Sequence, residues 1–442
     1  MARSVGIHLA PHLAHHSSES SFELIPLGAN LTSSLHGADD ERSLVYIHEY
    51  VHFIQAATSY FGANCMHTFF HSMSVLKKEI EACQGHLSKL DRAYIAERFA
   101  EIRGGLEDIK KTGILDGKES PIWAETELRG FQAIKTDKGW YPVLLRQIHN
   151  DEARVLVAPI SISAIQESMA FAVERRLKPE LTKRIYQATL SLDNWDFFDY
   201  AAVSETLLNI VPHWDETTIV WVTIVVCDVA LDHYLPLYAF NNCMEYIKAN
   251  YQVSEPNLDE YVEFHSNLCA NCRIESAEID RDLLIKELNR LVKRTGKDST
   301  PLDRILANYL NLYIKAFEIR VHKPHAFIER LLFLDKISQS ELQDFESIPF
   351  HTTPMGVFSC HNDDNLATAG LAIKCMQHFS YILLHDSSKA LQTSPCPLHK
   401  QDNICDYEKG EYCTKFPWYA PVVNNESCIY RCATDALGLV VE

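Results

Sequence analysis

Residues His48-Glu49-Tyr50-Val51-His52 set two imidazoles four positions apart, with a carboxylate beside the first. On a helix the two histidines point the same way, so both can reach one metal ion. Glu49 lies about 100° round the helix from His48, within reach of a water bound to that ion. Two neutral nitrogen ligands, plus a carboxylate able to take a proton from such a water, are what metal-assisted hydrolysis needs. The flanking residues add weight. From Leu44 to Ile54 the only charge is Glu49, whereas a surface helix would show Lys, Arg or Asp on its outer face. The helix therefore reads as buried on nearly every side, and two histidines and a carboxylate inside it need partners. One metal ion partners all three. The competing reading is a core helix whose histidines bond to backbone carbonyls.

Such a site requires a third protein ligand. The metzincin extension would place Gly at position 55 and His at position 58, but Gln55 and Thr58 stand there. The common alternative is a glutamate on a second helix, and the apolar run Ile162 to Glu174 supplies a candidate in Glu167. A carboxylate in the middle of such a run is costly unless it is paired or bound to metal. Ala164, Ser168 and Ala172 form a small-residue face at i, i+4 and i+8, which lets another helix approach closely. Glu174 is the rival ligand. It precedes Arg175-Arg176 and reads instead as a helix end with a solvated ion pair.

With these two segments, about 41–61 and 160–175, the chain resembles the gluzincin class of zinc metallopeptidases. That class carries H-E-x-x-H on one helix and a ligand Glu in a downstream E-S-x-A-type helix. The resemblance implies His48, His52 and Glu167 as ligands of a catalytic Zn2+, with Glu49 as the general base. The 114 residues between His52 and Glu167 exceed the separation in many members of the class. A second electrophile beside the zinc would be a Tyr or His, and Tyr186, Tyr200, His213 and His233 are the downstream candidates. The expected substrate is a peptide or protein. Two other readings stay open: a non-catalytic, zinc-stabilised scaffold or regulatory interaction protein, and a hydrolase of non-peptide amides.

The elements that must position these residues follow from periodicity. The active-site helix is expected from about Asp40 to Tyr60, stopped near Gly62. Helices over 65–83 and 89–111 come next. Between 123 and 160 the period changes to that of strands. A hairpin around Asp137-Lys138-Gly139 and a strand over 153–157 predict a small β-sheet between the two ligand helices. Its edge could take an extended peptide as an added strand. Helices over 180–192, 195–211, 217–239, 279–293 and 301–317 predict a bundle packed on the catalytic half. The fold class expected is α+β and predominantly helical. It comprises a zincin-like catalytic region (1–178), a helical region (179–345) and a Cys-rich C-terminal subdomain (346–442).

At 442 residues and 47% hydrophobic, the chain can bury one large core or two to three domains. A formal charge of −18 disfavours nucleic acid and anionic membranes as partners. The most hydrophobic stretch, 217–230, is interrupted by Asp228 and then Asp232, so it is too short to span a bilayer. The N-terminus lacks a secretory pattern, and a cytoplasmic location is expected. His8, His12, His15 and His16 fall at helical spacing, but no acid or cysteine completes a site, so they read as a solvated cluster.

Thirteen cysteines do not read as a disulfide framework, yet six of them fall after residue 374. Cys396, His399, Cys405, Cys413, Cys428 and Cys432 could enclose a second, structural zinc, although their spacing matches no standard finger. The alternative is buried reduced thiols in a compact subdomain. Cys269-Ala270-Asn271-Cys272, with His265 one turn before, is an isolated C-x-x-C that reads as neither a metal site nor a redox pair.

Overall fold

The structure, a computed structural model, describes residues 41–103, 125–136, 139–149, 155–160, 162–182, 196–272, 277–295, 300–336, 352–353, 356–357, 364–385 and 428–439, with single positions at 396, 413, 415 and 417. The described residues are mostly helical. Helix α1 (Glu41–Thr58) carries the H-E-x-x-H motif, and α2 (Tyr60–Ala82) and α3 (Arg92–Arg103) follow. The small zincin sheet is not shown by residues whose side chains are described. Over that stretch the backbone runs in three extended segments, β1 (Glu125–Thr136), β2 (Gly139–His149) and β3 (Val155–Pro159), paired antiparallel in that order. Then come α4 (Ile162–Leu177), α5 (Asp196–Ile210), α6 (Glu216–Leu231), α7 (Pro236–Asn250), α8 (Tyr261–Cys272), α9 (Ala277–Thr295) and α10 (Pro301–His322). The last described helices are α11 (Ala326–Leu332), α12 (Asp364–His385) and α13 (Ile429–Ala436).

Helix α6 is the spine. Asp215 caps it by accepting from the Thr218 amide, and every residue from Thr218 to Leu231 is buried. A helix apolar on all sides has no solvent face and must sit among others. Helix α4 packs against α6, α5 and α1, and the last of these contacts brings the two motif-bearing helices together. The small-residue face does what its size allows: Ala164, Ser168 and Ala172 are buried, and the Ser168 hydroxyl accepts from the Val203 amide of α5. A single cluster of buried hydrophobic side chains extends from Ile47 to Leu439. Among the described residues no helix is long and apolar enough to cross a membrane.

Of the differences from the sequence expectation, two bear on the motif helix and the spine. The active-site helix stops at Thr58, and Gly62 lies inside the first turn of α2. Ser59 makes the break: its hydroxyl donates to the Gln55 carbonyl (2.5 Å) and accepts from the Gly62 amide (3.0 Å), so one side chain ties both helix ends. Gly62 is needed for space, because a Cβ there would stand 2.1 Å from the Ala56 carbonyl oxygen. The run expected as one helix over 217–239 is two. It breaks between Leu231 and Pro236, since a proline at N1 starts α7 where the missing N–H does no harm.

The acids that interrupt the hydrophobic stretch anchor a buried ionic network. Arg320 of α10, 1% exposed, donates from both terminal nitrogens to Asp228 (3.0 and 2.5 Å) and from Nε to Asp232 (3.3 Å). Arg281 of α9 also donates to Asp232, whose other oxygen accepts from the Tyr60 amide at the start of α2. The network therefore reaches the elbow behind the motif helix. Gly62→Ala is expected to lower stability by about 2 kcal/mol or more in urea unfolding, because the clash is with backbone and no rotamer relieves it. An unchanged midpoint would mean the two helix ends are not held this closely.

Candidate metal centre

His48 and His52 share one face of α1, and Glu167 projects from the α4 face packed against it. All three are buried, at 6%, 1% and 7% exposure, and their donor atoms lie within 4.8 Å of one another. The two Nε2 atoms are 3.0 Å apart. Glu167 Oε2 is 3.1 Å from the first and 3.4 Å from the second. Donors on a tetrahedral ion at about 2.0–2.1 Å stand roughly 3.3 Å from each other. The donor set and its spacing fit a divalent ion of the zinc type, and His48, His52 and Glu167 could hold one.

What holds the imidazoles matters as much as where they point. His48 Nδ1 lies 2.5 Å from Glu174 Oε1. His52 Nδ1 lies 2.8 Å from Gln55 Oε1, and Gln55 Nε2 donates in turn to the Gln166 carbonyl (3.0 Å). Donating both Nδ1 protons outward leaves both Nε2 lone pairs aimed at the point Glu167 faces. Glu174 is thus neither a helix end nor a solvated ion pair. It is 1% exposed and orients His48, while its neighbour Arg175 pairs with Glu216 at the surface (2.6 Å). The sequence does carry a trace of this role. Glu167 and Glu174 are seven residues apart, which puts both acids on one face of α4, bracketing the two nitrogens of His48. Gln55 had no comparable signal.

Electrostatics follow from this packing. Burial alone would keep His48 neutral, but Glu174 and Glu167 outweigh it and hold the imidazole well above its usual 6.5. Burial likewise opposes ionisation of Glu167, yet His52 and His48 draw it down to about 2. Without metal, a proton on His48 occupies the place of a cation between two acids.

Of the three described candidate electrophiles, Tyr200 at the end of the first turn of α5 is the one beside the site, its ring 5.6 Å from that of His48. His213 is exposed in the turn before α6, and buried His233 accepts from the Leu235 amide through Nδ1. Tyr186 lies outside the described residues. Glu49 sits on α1, but its side chain lies outside the described side chains. In the tail, Cys396, Cys413, Cys428 and Cys432 are described, whereas His399 and Cys405 are outside the described residues. The Cys396 amide donates to the Cys413 carbonyl (2.7 Å), and the Cys428 sulfur accepts from the Arg431 amide at the start of α13. Among the described residues only His48, His52 and Glu167 converge as metal donors. The early histidines 8, 12, 15 and 16 lie outside them as well.

Zinc titration of metal-free protein is expected to find one tight site at this centre, abolished by His52→Ala. Glu174→Gln should keep the site but weaken it about 10–100-fold, as loss of an orienting carboxylate does. The sign of the pH effect follows from His48. Its proton must leave on metal uptake, so affinity should rise with pH through neutrality. An affinity indifferent to Glu174 would show that this acid plays no orienting part. Comparison with protein-family models, with curated proteins and with solved structures finds no match to this chain.

Proposed function

We propose that this protein is a zinc-dependent hydrolase of the gluzincin type that cleaves peptide bonds. The observation that carries the reading is the convergence of two imidazoles and a carboxylate at one buried point, with both imidazoles fixed from behind. His48, His52 and Glu167 would hold the ion. When bound, zinc supplies a Lewis acid that lowers the pKa of a water and polarises a carbonyl. This chain's residues do the rest. Glu49, adjacent to His48 on α1, is assigned to accept the water's proton and to pass it to the leaving amine. Glu174 and Gln55, each against an Nδ1, aim the two Nε2 atoms at the point the ion would occupy. Tyr200 is the candidate to donate a hydrogen bond to the developing oxyanion, given its place against His48.

Extended peptides suit this proposal if the paired segments β1 to β3 serve as a sheet edge that a substrate strand can join. A soluble, cytoplasmic setting with no nucleic-acid partner completes the proposal.

One observation favours a second reading. All three ligands are 7% exposed or less, and closed sites of this kind also serve as structural metal centres. In that case the chain is a metal-stabilised interaction module. Glu49→Gln separates the two. For a hydrolase, the zinc-loaded variant should keep its metal and its melting temperature while cleavage of a peptide library, followed by mass spectrometry, falls about 10²-fold or more. If the zinc-loaded wild type cleaves neither peptides nor simple amides, the hydrolase reading fails and the module stands.

A further inference from the structure

The buried network around Arg320 does not end in charge pairing. On α8, His265 and Cys269 are one turn apart and face the same way. The Cys269 sulfur lies beside the His265 ring, 3.6 Å from Nδ1 and 3.9 Å from Nε2, and His265 Nε2 lies 3.1 Å from Asp228 Oδ2. Asp228 is held in place by the two-pronged contact with Arg320. This is the order of parts that activates a nucleophile: a thiol, an imidazole against it, and a carboxylate orienting the imidazole. A structural ion pair would need only Asp228 and Arg320; it would not need a histidine bridging to a sulfur.

The surroundings distinguish Cys269 from its neighbours. Cys243 and Cys272 are buried with their sulfurs 3.5 Å apart, and burial pushes the Cys243 thiol up. Cys272 donates its S–H to the Ala239 carbonyl. Cys269 is half-buried and is followed by exposed Ala270 and Asn271. The charged and titratable groups facing His265 are Asp228 from α6, Arg320 from α10 and His325 before α11, whose ring is 4.8 Å away. Burial and neighbouring cations lower His325, leaving it neutral. Burial opposes charge on His265 too, but Asp228 and Cys269 raise it to about 9.

We propose that Cys269 is a nucleophilic thiol, positioned by His265 and Asp228, that reacts with small uncharged electrophiles, hydrogen peroxide foremost. The sulfur anion attacks one peroxide oxygen; an S–O bond forms and the O–O bond breaks. The departing hydroxide takes the Nδ1 proton of His265 and leaves as water. Sulfur is oxidised by two electrons to the sulfenic acid, and peroxide is reduced. This site is separate from the metal centre and does not depend on what that centre does.

The test is labelling of the intact, reduced protein at pH 7, with each cysteine followed by peptide mass spectrometry. Cys83 is the internal reference, being half-buried with its S–H donated to the Lys89 carbonyl. Iodoacetamide should modify Cys269 at least about tenfold faster than Cys83. Brief peroxide treatment followed by dimedone should place the adduct on Cys269. His265→Gln should remove the advantage, and Cys269→Ser should remove the dimedone adduct while leaving zinc content unchanged. If wild-type Cys269 labels no faster than Cys83, the proposal is overturned, whether or not the His265 variant folds. A fast Cys269 that keeps its rate in folded His265→Gln also overturns it.

Discussion

Two imidazoles and two carboxylates are held out of water between α1 and α4, and this desolvation shapes the helix pair that carries them. Charged or strongly polar groups at 1–7% exposure are tolerable only when each finds a partner. Here the partners come from the opposite helix. Glu167 meets both Nε2 atoms and Glu174 meets one Nδ1, so neither helix can be satisfied without the other. The small-residue face of α4 lets the helices approach, and its Ser168 hydroxyl also ties α4 to α5. A helix pair joined in this way is specified by polar complementarity as well as by apolar area.

The second ionic cluster serves the same architecture from further away. Asp232 receives Arg320 and Arg281 on one side and the first amide of α2 on the other. The elbow at Ser59 therefore rests on charges contributed by α6, α9 and α10. Because the motif helix ends at that elbow, the direction of α1 is fixed at both ends of its buried segment: by the α4 acids along its face and by the Ser59 junction at its C-terminus. The same arginine locks Asp228, and through it His265. One buried cation thus organises two sites.

How much of this could be read from the chain depended on whether partners were close in sequence. The four-residue spacing of His48 and His52 is a local signal, so it was legible. Glu167 was legible because an acid inside an apolar run asks for a partner even when the partner is unknown. Glu174 was misjudged for a local reason: two arginines follow it directly, and nothing nearby reveals that His48, 126 positions away, is its partner. Gly62 looked like a helix stop because glycine often ends helices, whereas its role is to clear the Ala56 carbonyl across the elbow. Cys269 and His265 were legible as neighbours one turn apart, but nothing local gave the pair a role. The informative spacing was the four residues back to His265, and the acid that gives it meaning comes from α6. The predominance of helix was plain from periodicity; where one helix broke into two was not.

The charge of these buried groups sets which ion would suit them. Two neutral imidazoles with the carboxylates of Glu167 and Glu174 sum to −2. A proton on His48 halves that deficit and leaves a buried negative charge. A divalent cation cancels it. A monovalent ion would leave the same residual charge as the proton, and oxygen-preferring ions of higher coordination number would find two nitrogens and one oxygen where they require six or more ligands. A divalent ion held here would be balanced by both carboxylates, Glu174 included, although Glu174 is not one of the three converging donors. Without an acid at position 174 the buried set would carry one negative charge fewer and would lose the hydrogen bond that aims His48. Glu174 thus orients His48 and would add charge toward a bound ion without being one of the three converging donors.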